Sequence, residues 1–281
     1  MGFIPVPYHH TMLEDRTRMD AFEQAIAAKV KPGNVVFDVG AGTGILSYFA
    51  AKSARRVYSV EAHPAVARLG KRLIELNGLA QRVSYSQGLA QDNLPPEAVD
   101  VVICEMMHVG LAVEQQVPVM NAVLQGLDQR YPGHVIKLIP EQAVNYCQLV
   151  QADWDRSGYK VPFVRLGSAY GADATVTALS PLTKYFDVAF SHVNPTRIQA
   201  QCTVPVDTAG TANALRIYTQ TVLDYDESKP PESRANTWFM HFMVLPLPDS
   251  WQVQPGASFA ASFDYEAGCS LEDFAVSVRQ L

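Results

Sequence analysis

Two acidic residues, Glu105 and Glu114, stand nine positions apart around a stretch that carries no other formal charge, Met106-Met107-His108-Val109-Gly110-Leu111-Ala112-Val113. Two carboxylates that converge can hold one planar cation, because charge-assisted hydrogen bonds to a fork add direction to attraction. Two acids flanking a loop also fit an ordinary polar surface feature, so their place in the chain matters. Glu105 directly follows Val99-Asp100-Val101-Val102-Ile103-Cys104, which reads as a buried strand. The carboxyl ends of strands in an open α/β sheet border the crevice where such sheets bind ligands.

A second stretch with chemical potential lies upstream. Val35-Val36-Phe37-Asp38-Val39 reads as a strand, Gly40-Ala41-Gly42-Thr43-Gly44 as a tight turn, and Ile45 to Lys52 as the helix it feeds. Glycine lets a backbone approach a ligand, and a helix start offers unpaired N–H groups. The spacing is G-x-G-x-G, not the G-x-G-x-x-G of dinucleotide sites. A carboxylate at Asp38 would repel a pyrophosphate and suits a zwitterion that carries an ammonium group. S-adenosylmethionine (SAM) has an amino-acid end, a sulfonium and no phosphate. Asp38 with Gly40, Gly42 and Gly44 therefore resembles the first motif of the Rossmann-like SAM-dependent methyltransferases. The plain alternative is a tight turn in another α/β fold.

The elements that must position these groups follow in order. Arg56-Val57-Tyr58-Ser59-Val60 reads as a second strand that delivers Glu61, 23 positions after Asp38. A second-strand carboxylate at about that distance suits the two hydroxyls of a ribose; the alternative is an acid capping the next helix. Residues 65–76 read as a helix and 81–88 as a third strand and turn. In the polar loop from Leu89 to Pro96, Gln91, or alternatively Asp92, is placed to reach an adenine amino group. Residues 115–128 read as a helix and Val135 to Pro140 as a fifth strand. From Ala143 onward short alternating runs appear, among them 215–222, 238–245, 258–265 and 274–278, punctuated by Gly, Pro, Asp and Ser. This is the pattern of an antiparallel, barrel-like module. The expected architecture is an α/β Rossmann-like SAM-binding domain with an N-terminal helical arm over 1–140, then an antiparallel β-barrel-like domain over 141–281. The polar stretch 224–235 reads as a solvated hairpin tip, with a face toward a cationic substrate as the alternative.

Composition bounds the rest. The chain of 281 residues is 48% apolar and 18% charged, enough for a sizeable core and too little charge for disorder. A net charge of -6 argues against broad binding to nucleic-acid phosphates. The four cysteines, Cys104, Cys147, Cys202 and Cys269, are scattered and suggest reduced thiols in a cytoplasmic protein. No apolar run is long enough to span a bilayer, and the N-terminus lacks a signal-peptide pattern. Residues 1–10 read as an irregular arm whose His9-His10 pair has no partner cluster for a metal. A helix is expected from Thr11, with Thr11 as cap and Glu14 at the capping-box position.

A SAM-type sheet, an acid-loop-acid segment after its fourth strand and a C-terminal barrel together resemble the protein arginine methyltransferases. The likeness is carried by residues 36–46, by Ser59-Val60-Glu61 and by Glu105 through Glu114. It implies that the segment 12–18 covers the cofactor, with Arg18 pairing with the SAM carboxylate and Met12 packing near the sulfonium. It also implies that Glu105 and Glu114 clamp an acceptor guanidinium, that Glu105 borders the cofactor, and that Trp238 belongs to the family's Thr-His-Trp loop. Here that loop reads Asn236-Thr237-Trp238, without its histidine. The family's N-terminal Tyr-Phe-x-x-Tyr motif is absent, and Met106 and His108 replace a tryptophan and a glycine. The implied partners are a guanidino small molecule or an arginine-containing peptide or protein, with no nucleic acid, no membrane and no metal. A homodimer is implied through an arm within 153–185 that carries Trp154, Tyr159, Phe163 and Tyr170. The alternative acceptor is another small-molecule amine or an imidazole.

Overall fold

The computed structural model of the chain describes residues 6–170, 173–225, 228 and 235–281. The first five residues and most of the polar stretch 224–235 lie outside the described residues. Two helices open the chain, α1 (Val6–Glu14) and α2 (Arg16–Lys29). The expected irregular arm is thus helical from Val6, and Thr11 lies inside α1 and caps nothing. Pro7 falls in the first turn of α1, where a missing N–H breaks no helical bond. Asp15 breaks the two helices apart and caps α2, its carboxylate accepting the Arg18 N–H at 3.0 Å.

A five-stranded parallel sheet follows, built from β1 (Val35–Val39), β2 (Arg56–Glu61), β3 (Val83–Gln87), β4 (Val101–Cys104) and β5 (Lys137–Ile139). Its order is β3-β2-β1-β4-β5. Helices α3 (Ile45–Ala51), α4 (Pro64–Leu76) and α5 (Gln116–Arg130) connect the strands. Every residue of β1 and β4 is buried, as expected of parallel strands covered on both faces. The strand order reverses between β1 and β4. The Gly-rich turn and Glu105 leave the sheet at that switch point, on the same edge.

The chain then becomes antiparallel. Strands β6 (Gln142–Ala152), β7 (Asp155–Arg156), β8 (Tyr159–Lys160), β9 (Arg165–Gly167), β10 (Val176–Ala178), β11 (Thr183–Ala189), β12 (Arg197–Pro205), β13 (Gly210–Tyr225), β14 (Ala235–Phe239), β15 (Phe242–Val253), β16 (Ser258–Glu266) and β17 (Val276–Gln280) complete it. The long β13 is the spine of a curled seven-stranded sheet, pairing with β6 on one side and with β14 and β15 on the other. A smaller sheet, β12-β16-β17, closes on it, with Tyr185 of β11 stacked on Phe263 of β16 at 3.8 Å between centroids. One apolar core runs from the parallel sheet into this half-barrel.

Two expected strands differ. The run 238–245 is interrupted at Met240 and His241. There residues 240–242 face residues 218–219 of β13, between the pairs Gln220 with Phe239 and Ile217 with Met243. An extra residue opposite a regular strand makes a bulge, which re-aims side chains. The last strand runs from Val276 to Gln280, beyond the expected end at Val278, because it pairs with β16 out to Phe259.

The segment 153–185 mostly folds back on its own sheet: β9 pairs with β15 and β10 with β6. Trp154 lies beneath the Arg165 guanidinium at 5.8 Å, and the Tyr170 hydroxyl accepts the Phe239 N–H at 3.0 Å. Tyr159 and Phe163 are exposed. Among the described residues no helix is long and apolar enough to cross a membrane, and no group of three His, Cys, Asp or Glu could hold a metal ion.

Candidate active site

A cavity of about 1230 Å³, mouth included, opens where β1, β2 and β4 end. Its walls bring together Met12, Arg18, Gly40, Gly42, Glu61, Gln91, Glu105 and Glu114. Residues far apart in the chain thus converge because helices α1 and α2 lie over the sheet's switch point.

The floor is the Gly-rich turn. Gly40 has φ +70, which favours glycine, and a Cβ there would sit 2.6 Å from the Met106 sulfur and push that side chain of the acid loop aside. The Tyr85 hydroxyl fixes the turn by donating to the Gly42 carbonyl at 2.6 Å. Glu61 holds it from the other side, accepting the Gly42 N–H at 3.0 Å and the His63 N–H at 2.7 Å. Its two oxygens have lone pairs to spare for further donors.

Two expected cofactor residues do not reach the cavity. Asp38 is only 1% exposed and turns into the core, where its carboxylate accepts a bond from the Ser47 hydroxyl, itself 2.6 Å from the Ser59 hydroxyl. Burial pushes its pKa up to about 7. The reason is strand alternation: Asp38 shares a face with Val36 and lies directly beside Ser59 of β2, so it points under α3. It fastens the strand to the helix and leaves no carboxylate for a ligand ammonium. Gly44 is likewise off the cavity; it precedes α3 in a left-handed conformation and packs on Ile74 of α4. Asp92 does not line the cavity, whereas Gln91 does.

The acids sit side by side in charge but not in partners. The Glu105 side chain is 8% exposed and forms an ion pair with Arg18. Arg18 is backed by aromatic rings, its guanidinium 5.6 Å from the Trp238 ring and 6.0 Å from Phe22. Glu114 pairs with no cationic side chain among the described residues; burial, then the Glu105 charge, push its carboxyl up to about 8, with Arg18 pulling the other way. Between them the loop is strained. Leu111 and Val113 have φ of +57 and +63, unusual for branched side chains.

Trp238, expected among the catalytic residues, does not line the cavity. It is buried behind Arg18, edge-on to Phe22 at 6.1 Å. The bulge after it brings a different residue to the acid loop: His241 packs edge-on against His108 with ring centroids 5.1 Å apart. Burial lowers the pKa of both, that of His108 to about 4, so both rings are neutral near neutrality. Sequence reasoning missed this pair, and it missed His9, whose ring lies over Gly42 in the cavity wall. His9 had a signal, since it precedes Met12 and Leu13 by three and four positions and all three share a helix face. His241 had none, because a bulge does not show in an alternating run.

Comparison with known proteins agrees with this architecture. The model of the TRM5/TYW2 methyltransferase domain matches residues 9–124, from α1 into α5. An uncharacterised protein of Methanocaldococcus jannaschii is 30% identical over 263 residues, covering 92% of this chain and 94% of its own. The "probable protein arginine N-methyltransferase 6" of Arabidopsis thaliana is 34% identical over 187 residues, 65% of this chain; the chain spans only 40% of that relative's length. Among solved structures, PRMT6 with SAH has a TM-score of 0.75 at 16% identity, over 99% of this chain and 100% of that one. The Trypanosoma brucei PRMT1 enzyme-prozyme complex with AdoHcy has a TM-score of 0.73 at 17% identity, over 98% and 97%. At such identities the structural likeness speaks for the fold alone. Together with the cavity, the fold and the matched domain define a Rossmann-type, SAM-dependent methyltransferase joined to a barrel-like domain. The chain belongs to one family with the uncharacterised Methanocaldococcus jannaschii protein, and in sequence and fold it is similar to the protein arginine methyltransferases.

Proposed function

We propose that this chain methylates a guanidino nitrogen, in an arginine of a protein or peptide, in free arginine or in an arginine-derived metabolite. The observation that carries the reading is that Glu105 and Glu114 share one cavity with the Gly-rich turn and Glu61. The polar groups of that wall fit SAM: Arg18 is a cation for its carboxylate, Glu61 an acceptor for its vicinal hydroxyls, Gln91 a partner for its adenine amino group. Met12 offers a soft, apolar surface for the sulfonium, and Gly40 and Gly42 let the backbone approach. When bound, SAM supplies an electrophilic methyl group.

The chain's own residues then do three things. Glu105 and Glu114 hydrogen-bond the planar cation and draw its positive charge toward the nitrogens they hold, so the target nitrogen keeps more of its lone pair. Their fixed separation orients that nitrogen, which supplies much of the acceleration. Glu114, whose burial and proximity to Glu105 raise its proton affinity, takes the proton released as the new N–C bond forms. Incubation with labelled SAM and a panel of arginine, arginine peptides and guanidino metabolites tests this; label confined to oxygen or carbon acceptors overturns it. A second reading, transfer to another amine or an imidazole, draws on the placement of Trp238 behind Arg18 instead of on the cavity wall. The same panel with amines and imidazoles added separates the two.

We also propose a homodimer, from the exposed Tyr159 and Phe163 on and just beyond the β7–β8 hairpin. Light scattering on the full chain and on a Tyr159→Ser, Phe163→Ser double variant checks this, the variant being expected to run as a monomer.

A further inference from the structure

Gln116 opens α5 and is 1% exposed, a buried polar side chain. Its amide oxygen accepts the Met106 N–H at 2.8 Å and the Cys104 thiol at 3.5 Å, and its amide nitrogen makes the second backbone bond, donating to the Cys104 carbonyl at 2.8 Å. Those two backbone groups bracket Glu105. The side chain thus acts where β4 leaves the sheet and strand partners run out, and it fixes the peptide units on either side of the acid. Turning either unit would leave a buried N–H or C=O unpaired, which is costly. Gln116 also lies two residues after Glu114, so one short stretch carries one acid and holds the backbone of the other. Its neighbour Gln115 faces the opposite way, its amide nitrogen donating to the Gly268 carbonyl of the barrel at 2.9 Å. The barrel turn is shaped around that amide, since a Cβ on Gly268 would lie 2.3 Å from it.

We propose that Gln116 is a positioning residue that sets the place of Glu105 relative to Glu114. The inference rests on the clamp reading given above, and it assigns a role to a residue outside the cavity wall.

Two variants test it. Gln116→Met keeps the volume and removes both backbone bonds and the weak thiol contact. With a guanidino acceptor its kcat should fall by ~100-fold, the scale of a misplacement of about 1 Å. Its acceptor KM and SAM dissociation constant should stay within about threefold of the parent. Amide hydrogen exchange at Met106 should quicken by at least about tenfold, a readout that needs no turnover. In Gln116→Glu, a protonated carboxyl restores both bonds, donating O–H to Cys104 and accepting from Met106; the ionised form loses the donor and adds charge beside Glu105. Its kcat relative to the parent at the same pH should therefore climb as pH falls, which a packing role would not produce. A Gln116→Met enzyme with near-parental kcat, unchanged exchange at Met106, or a flat Gln116→Glu ratio across pH each overturns the inference. Absence of any guanidino transfer by the parent chain would instead overturn the clamp reading, while loss of turnover in Glu105→Gln and Glu114→Gln but not in Gln116→Met would overturn this inference alone.

Discussion

Glu105 and Glu114 face one cavity but belong to different halves of the molecule. Glu105 is held by the parallel-sheet half: it directly follows β4, is braced by Gln116 and is paired with Arg18 of α2. Glu114 is held by the barrel. The Val113 N–H donates to the Cys269 carbonyl at 2.7 Å, and the Gly268 N–H donates to the Leu111 carbonyl at 2.8 Å. The Tyr265 hydroxyl donates to the Gly110 carbonyl at 2.7 Å, and the Gly110 N–H donates to the Thr219 hydroxyl at 2.7 Å. The distance between the acids therefore depends on how the barrel seats on the sheet as well as on the Gln116 brace at Glu105. Among the described residues Glu105 has a resident cation, Arg18, and Glu114 has none, a difference that the proposed clamp would use to admit a cation from outside.

The largest expected effects come from removing each charge. Glu105→Gln and Glu114→Gln should each lower kcat by ~10²–10³-fold, as loss of one aimed charge partner does elsewhere. They should differ in cofactor binding. Glu105→Gln unpairs Arg18 and should weaken SAM measurably by calorimetry, while Glu114→Gln should leave it near the parental value. Equal changes in SAM affinity would break the distinction between a cofactor-side acid and an acceptor-side acid.

The unequal pairing also predicts a pH dependence. The Glu114 carboxyl stands at about 8 in the folded chain, against an ordinary value of 4.5. A cation must meet the ionised form, so kcat/KM for a guanidinium acceptor should fall by roughly tenfold per pH unit below that value. The limb should vanish in Glu114→Gln. The same shift has a stability consequence. The folded state binds this proton more tightly than the unfolded state, so Glu114 favours folding below the ordinary carboxylate range. That contribution is lost as pH rises toward 8. Urea titrations of the empty chain across pH 5–8 should show the decline, and a parallel series with Glu114→Gln should lack it.

A smaller effect should come from the barrel side of the seat. Gly110 has φ +72, and a Cβ there would lie 2.7 Å from the Phe274 ring. Gly110→Ala should cost ~1–3 kcal/mol by denaturant unfolding and lower kcat more than it changes SAM affinity. Thr219→Val leaves the Gly110 N–H unpaired and should act in the same direction, also by ~1–3 kcal/mol. A loss of SAM binding as large as the loss of turnover would mean that the barrel also supports the cofactor wall.

The halves were unequally legible as well. The parallel sheet could be read because its strands are unbroken apolar runs and its Gly-rich turn has a fixed spacing; Glu61, Gly40 and Gly42 fall on the cavity accordingly. The acid loop could be read as a pair of charges after a strand, but not how it is held. The bonds from Gln116, Thr219 and Tyr265 join residues with no sequence spacing to connect them. The bulge at Met240 and His241 was hidden because alternation continues through it. Trp238 was placed by likeness of its motif, and only packing shows that Arg18 stands between it and the cavity.

Asp38 gives the smallest expected effect and the sharpest contrast with the two acids of the loop. Asp38 is fully buried while Glu105 and Glu114 are half-buried as whole residues, and of the three only Asp38 is bound to a neutral hydroxyl inside the core, with its pKa raised from 3.8 to about 7 by burial. Asparagine has nearly the same shape and can still accept from Ser47. Asp38→Asn should therefore bind SAM within about threefold of the parent by calorimetry, in contrast to Glu105→Gln. Because the folded state holds the Asp38 proton more tightly than the unfolded state, its contribution to stability is full below about pH 4 and is lost as pH rises through 7. The slope it adds approaches ~1.4 kcal/mol per pH unit, and the asparagine variant should lack it. A tenfold loss of SAM affinity in Asp38→Asn would mean that this carboxylate reaches the ligand after all, and that the first strand contributes charge as well as shape to the cofactor site.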